Sequence, residues 1–162
     1  MEHLKLPTLL VSHVDVARLI RELENLDEFF TEAKIRNVGT SMQLPKLSRM
    51  MDQLASSNSV NLLDEQDRAK LLAALKKIYD QAPKMHISFA AEPSPKAFEK
   101  ILVWLRENID PHTLVQIGLQ PAIAAGCVVR TPNKVFDMSL RSALTKQQPY
   151  LVQLIKGAVD GR

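Results

Sequence analysis

The sequence holds five glycines and one cysteine in 162 residues. Gly39, Gly118, Gly126, Gly157 and Gly161 are too far apart to write GxGxxG or GxxxxGK(S/T). Those loops need glycine where main-chain amides close on phosphate, so a P-loop or dinucleotide fingerprint is excluded. Cys127 alone forms no intrachain disulfide and no cysteine-based zinc site. The four histidines, His3, His13, His86 and His112, contain no i,i+4 pair, and neither HExxH nor GxSxG occurs. Aromatics are 5%. An RNA-binding sheet uses about two or three strand aromatics, and only Phe89 and Phe136 are placed to serve. Apolar-dominated runs reach roughly six residues, against about 20 needed to span a bilayer. Glu2 stands where a charged-then-apolar leader would begin. These absences lead to the expectation of a reducing, aqueous compartment and of no catalytic residue, metal or cofactor.

Hydrophobic residues make up 46% and charged residues 24%, a globular composition for one ordinary domain or two small ones. The net charge is +3, and it is unevenly placed. Residues 1–82 hold 11 basic and 12 acidic side chains, and residues 83–162 hold 10 and 6. Residues 126–162 hold 6 basic and 2 acidic ones, so the positive excess lies in the last 37 residues. An acidic partner suits that end.

Helical spacing opens the chain. Val16, Leu19, Ile20, Leu23, Leu26 and Phe30 make an apolar stripe, with Ser12 and Asp15 in capping-box positions. Residues 37–45 read as a loop. A second helix carries Leu47, Met50, Met51 and Leu54. A third starts near Asp64 with Asp67 in its first turn, carries Leu71, Leu72, Leu75, Ile78 and Tyr79, and ends at Pro83.

The period then changes to two at residues 85–90, with Ile87 and Phe89 on one side and His86 and Ser88 on the other, exposed side. Ser94-Pro95 opens a helix with Phe98, Ile101, Leu102, Leu105 and Ile109 inward. Residues 114–119 and 126–131 read as strands, and 134–136 as a short return after the Pro132-Asn133 turn. A last helix starts near Ser139 with Leu140 and Leu144 on one face. Pro149 predicts a kink or a fresh helix. The fold class is therefore α+β: a short helical bundle in residues 1–82, then a β-α-β-β-β-α domain in residues 83–162.

Single residues offer little chemistry. His86 and His112 have a surface or packing role, and Cys127 reads as a buried, inert thiol. Asp137 with Ser139 reads as a cap rather than as a nucleophile with an acidic neighbour. Trp104 stands beside its helix's apolar stripe, as part of the core or as a partner contact.

The run VQIGLQPAIAAGCVVRTPNKVFDMSLRSAL at residues 115–144 resembles the C-terminal signature of the delta subunit of the F-type ATP synthase, the oligomycin-sensitivity-conferring protein family. Ala125-Gly126 stands where that signature has a glycine pair. Val128, Val129 and Arg130 match its first hairpin strand, and Lys134, Val135, Phe136 and Asp137 its return strand. Ser139, Leu140, Arg141 and Leu144 match the start of its last helix. Residues 58–63 before a long helix, and residues 85–95, are similar to the family's approach to its C-terminal domain. The family's first domain is a six-helix bundle, whereas this chain has three helices in 82 residues.

The resemblance implies a non-catalytic stator subunit that links the catalytic head to the peripheral stalk, so that the head does not turn with the shaft. It implies the head's alpha subunits and the stalk's b subunit as partners. Contact with the membrane, at the inner face of a bacterial plasma membrane, is then only through the complex. Arg18 and Arg21, on the polar side of the first helix, are the candidate head contact, with an ordinary solvated face as the competing reading. Leu151, Leu154 and Ile155 are the candidate stalk contact, with a core stripe as theirs. Two rivals stay open: a small basic RNA-binding or adaptor module, and an acylphosphatase-like enzyme. The enzyme would need an arginine in a phosphate-cradling loop, and the glycine-poor loops offer none.

Overall fold

The computed structural model describes the backbone of residues 4–36 and 44–160, and the side chains of all of these except 35, 36, 151, 154 and 157–160. Three helices come first: α1 (His13–Arg36), α2 (Arg49–Ser57) and α3 (Glu65–Gln81). Then follow β1 (Lys84–Phe89), α4 (Pro95–Asn108), β2 (Leu114–Leu119), a 3-10 turn (Pro121–Ile123), β3 (Gly126–Arg130), β4 (Val135–Ser139) and α5 (Leu140–Asp160). The α+β order expected from the sequence is the one observed. Most of the 37–45 loop lies outside the described residues.

The helix starts form as their local chemistry dictates. Asp15 accepts the Ser12 amide at 2.8 Å, and the Asp15 amide reaches Ser12 Oγ at 3.3 Å, which completes the capping box. Ser48 caps α2 through the Met51 amide, and Asp64 caps α3 through the Gln66 amide. Ser94 Oγ accepts the Ala97 amide with Pro95 at the first helical position.

The chain divides into two compact units, Met1–Pro83 with Glu99–Leu114, and Lys84–Phe98 with Val115–Arg162. In the first, α1 and α3 run antiparallel. His13 Nε2 meets the Tyr79 carbonyl, Glu24 pairs with Lys76, Asp27 with Arg68 and Lys34 with Glu65, so partner numbers fall along α3 as they rise along α1. The expected stripes supply the core: Val16, Leu19, Leu23 and Leu26 meet Met51, Leu54, Leu71, Leu75 and Ile78. Each such leucine contributes about 1.5–3 kcal/mol by leaving water.

Two arginines complete this unit. Arg68 sits on the inward face three residues before Leu71 and is only 3% exposed. Its Nε donates to Asp27, its Nη1 donates to the Leu62 and Leu63 carbonyls at 3.0 Å, and its guanidinium lies 4.4 Å from the Phe30 ring centroid. Arg106, one turn after Leu102, donates to the carbonyls of Leu6, Pro7, Leu10 and Thr113. Burial lowers its pKa to about 10, which leaves it charged at neutral pH.

The second unit is built on a four-stranded sheet of order β2-β1-β3-β4. β1 pairs antiparallel with β3, and β3 with β4. The Leu114 amide meets the Pro83 carbonyl and the Gln120 amide meets the Phe89 carbonyl, so β2 runs parallel to β1. The crossover through α4 is what a parallel pair requires.

The sheet corrects several expectations. β1 is buried on both faces from Ile87 onward: Ser88 is buried and His86 half-buried. A Cβ on Gly118 would sit 2.8 Å from His86 Nε2, so the imidazole fills the space that glycine leaves. Ile117 and Leu119 are exposed, because β2 is an edge strand. Ile109 falls past the end of α4 and is 51% exposed. The return strand is longer than expected and takes in Asp137 and Ser139. Pro149 lies inside a single helix, α5, so no fresh helix begins there. It removes the amide that the Thr145 carbonyl would receive, and Thr145 is exposed.

Candidate functional site

Two surfaces gather the residues singled out in the sequence. The first is on the helical unit. Arg18 and Arg21 are exposed on α1 and line a groove of about 550 Å³ with Val14, Ala17, Asn25 and Leu47. Glu22 lies in the same groove, but its carboxylate is engaged. It accepts the Ser48 amide and the Ser48 hydroxyl, the latter at 2.7 Å, and so ties the start of α2 to α1. Among the described residues neither Arg18 nor Arg21 has a carboxylate within ion-pair distance. The groove therefore brings three cations, Arg18, Arg21 and Lys46, beside the apolar Val14, Ala17 and Leu47.

The second surface is the β3–β4 hairpin with α5. Gly126 opens β3 opposite Ser139 and has φ +86°. A Cβ there would collide with the Met138 carbonyl, so glycine is required both by torsion and by space. Asp137 accepts the Ser139 amide at 2.9 Å, and Ser139 Oγ accepts the Ser142 amide at 3.1 Å. The Leu140 amide reaches back to the Ala125 carbonyl at 2.9 Å. This relay turns the chain from strand into helix, and it makes Asp137 and Ser139 the cap pair read from the sequence. The side-chain and amide hydrogen bonds from Ser139 hold the Asp137 carboxyl below its ordinary value.

Of the matched signature positions, Val128 and Ser139 are buried, while Arg130, Arg141 and Leu144 are exposed. The signature thus combines residues that shape the hairpin with residues on its surface. Leu140, Leu144 and Ile155 are spaced four and eleven apart, which places them on one face of α5. Leu144 is 53% and Ile155 63% exposed. The adjoining strand β4 exposes Val135, Phe136 and Met138. The side chains of Leu151 and Leu154 lie outside the described residues.

The remaining candidates are placed plainly. His112 Nε2 stands 3.2 Å from the Leu4 carbonyl, and Asp110 accepts the His112 amide at 2.7 Å. Cys127 is half-buried, with its thiol pKa raised by burial, which disfavours the reactive thiolate. Phe89 is buried and Trp104 exposed. Among the described residues no group of three or more His, Cys, Asp or Glu side chains is placed to hold a metal ion. No helix among them is long and apolar enough to cross a membrane.

The sequence reading missed Arg68, Arg106 and Asn58. Arg68 was detectable as the residue that continues the 71, 75, 78 stripe backward at helical spacing, where an apolar side chain is the rule. Arg106 was detectable in the same way, four residues after Leu102. Nothing local marks Asn58, whose partner Lys5 stands 53 residues away.

Comparison with known proteins gives one family and two relatives. The model of the family described as ATP synthase delta (OSCP) subunit matches residues 11–151. Two proteins named ATP synthase subunit delta, from Xylella fastidiosa strains M12 and M23, are each 27% identical over 107 residues, 66% of this chain. The match spans 60% of the length of each of these curated relatives.

Proposed function

This chain belongs to the ATP synthase delta (OSCP) subunit family, and from that premise we propose that it is a non-catalytic stator subunit of a proton-translocating ATP synthase. In this reading it holds the catalytic head to the peripheral stalk while the central shaft turns. Such a tie needs two separate adhesive surfaces and no active site. The observation that carries the reading is the number of large apolar side chains that β4 and α5 leave open to solvent, Phe136, Met138, Leu144 and Ile155 among them. Exposed apolar surface beyond scattered single residues is a mark of an interaction site.

The division of labour is part of the proposal. Residues 1–82 meet the head's alpha subunits through the groove of Arg18 and Arg21. Residues 83–162 meet the b subunit through the β4–α5 face, including Leu151, Leu154 and Ile155. The excess of positive charge in residues 126–162 favours an acidic stalk end and speeds encounter. Interfaces of standard size bury roughly 800 Å² per partner. Two such contacts within one complex raise each other's effective concentration, so neither has to be tight alone. The subunit would then sit at the inner face of a bacterial plasma membrane, attached through its partners.

Binding of the full chain to separate soluble fragments of the b subunit and of the alpha subunit's N-terminal segment tests this. Deleting residues 149–162 is expected to weaken the b-fragment contact and to leave the alpha-fragment contact unchanged. Loss of alpha-fragment binding by that deletion would contradict the division, and no binding to either fragment at micromolar concentration would sink the reading.

A further inference from the structure

The sheet ends on β4, whose outer edge pairs with no other strand among the described residues. The Lys134 carbonyl accepts the Thr131 amide, and the Leu140 amide donates to the Ala125 carbonyl. In an antiparallel pair the bonded residues alternate, so 134, 136, 138 and 140 bond toward β3. The main-chain groups of Val135, Asp137 and Ser139 therefore point away from it. Asp137 closes part of this edge itself, because its Oδ1 accepts the Ser139 amide at 2.9 Å. The N–H and C=O of Val135 and of Asp137 have no partner among the described residues.

An open edge is a template for another strand, and proteins blunt it with proline or lysine on the strand or by covering it. Residues 135–139, Val-Phe-Asp-Met-Ser, contain neither proline nor lysine, and the first four are exposed. The cations lie around the strand rather than on it. Lys134 precedes it and Arg130 stands opposite Val135 on β3, while Arg141 and Lys146 of α5 bear electrostatically on the Asp137 carboxylate. Among the described residues none of these four has a carboxylate within ion-pair distance. Asp137 is the one acidic residue from position 126 to position 159.

Charge selects the occupant. A second copy would bring the same cations edge to edge, and like charges across a strand pair are destabilising. A strand that carries carboxylates is attracted instead. Phe136 and Met138 share one face of the sheet and favour apolar neighbours there. Period two then puts the carboxylates on the other face, where Arg130 stands. We propose that the outer edge of β4 takes up an extended segment of alternating acidic and apolar residues, which adds a further strand to the sheet. In this mode main-chain hydrogen bonds supply affinity and alternate side chains supply specificity. The site is the main-chain edge of β4, and it does not rest on the stator reading.

Two six-residue peptides test it on the full chain, one alternating Glu with Val and one alternating Lys with Val. The Glu-Val peptide is expected to bind and to slow hydrogen exchange of the Val135 and Asp137 amides, and the Lys-Val peptide is not. A Glu-Val peptide methylated at every peptide nitrogen keeps the charge and loses the donors. It should bind at least about tenfold more weakly, since one main-chain hydrogen bond is worth roughly fivefold. Val135→Pro removes an N–H that faces away from β3, as edge strands allow, and should weaken the unmethylated peptide by about fivefold. Equal affinity of the methylated and unmethylated peptides would overturn strand addition, whether or not the proline variant folds. Equal binding of the Lys-Val peptide would overturn the acidic partner. No binding of the Glu-Val peptide at millimolar concentration, or protection at β2 instead of β4, would overturn the site. A dimer of the chain with protected Val135 and Asp137 amides would overturn the choice of occupant.

Discussion

The carboxylate of Asp27 on α1 accepts Nε–H of Arg68 on α3, where the guanidinium is 3% and the carboxylate 33% exposed. The pair closes the end of the helical unit at which α1 meets the 62–63 loop carbonyls. Asp27→Ala removes the counter-charge and leaves a buried cation. Breaking a buried pair costs about 3–5 kcal/mol, and the partial exposure of Asp27 brings the expected loss to about 2–3 kcal/mol. Urea denaturation measures it. The double variant with Arg68→Met should recover at least about 1 kcal/mol of that loss. Strictly additive losses would show that the two groups are not coupled.

Leu75 is fully buried between α1 and α3, whereas Leu144 is exposed on α5. Leu75→Ala should destabilise by about 2–5 kcal/mol. Leu144→Ala should change stability by less than about 0.5 kcal/mol and should weaken binding to a b-subunit fragment. Equal effects on stability would place Leu144 in a core and remove it from the proposed surface.

Gly126→Ala tests the hairpin. The residue must adopt φ +86°, and the added methyl group meets the Met138 carbonyl. The expected cost is about 1–3 kcal/mol, read as a lower Tm, with loss of protection at amides of β3 and β4.

Asp137 sets a pH dependence. Its folded-state pKa is depressed by the hydrogen bonds from Ser139. The stabilisation of the α5 start is therefore fully present above the unfolded aspartate value of about 3.9, and is lost as pH falls through the lower folded value. The Ser139 amide chemical shift should titrate in that acid window. Asp137→Asn should abolish the titration, and an unchanged profile in the variant would assign it to another group.

Local chemistry made much of this fold legible. Ser12 with Asp15, Ser94 with Pro95, and Asp137 with Ser139 act within three residues, and each cap formed where its sequence pattern placed it. The stripes of α1 and α3 were readable because one face of each meets a core. Strand burial was not readable, because it depends on the neighbours that a strand acquires. β1 is buried on both faces from Ile87 onward, whereas the alternating Ile117 and Leu119 of β2 stay exposed. Contacts of long sequence separation were equally hidden, Asn58 with Lys5 and Arg106 with residues 6–10 among them. The Asp137–Ser139 cap was visible because it acts within three residues, whereas the space that Gly126 must leave for the Met138 carbonyl appears only once β3 and β4 pair.

The central claim is that one chain joins two partners, and a bridging assay tests it most directly. A b-subunit fragment immobilised on a surface is exposed to a soluble N-terminal fragment of the alpha subunit, with and without the full chain. The stator account predicts that the alpha fragment is retained only when the chain is present, and that the variant lacking residues 149–162 abolishes its retention. Separate binding of each fragment with no retained ternary complex would contradict the account.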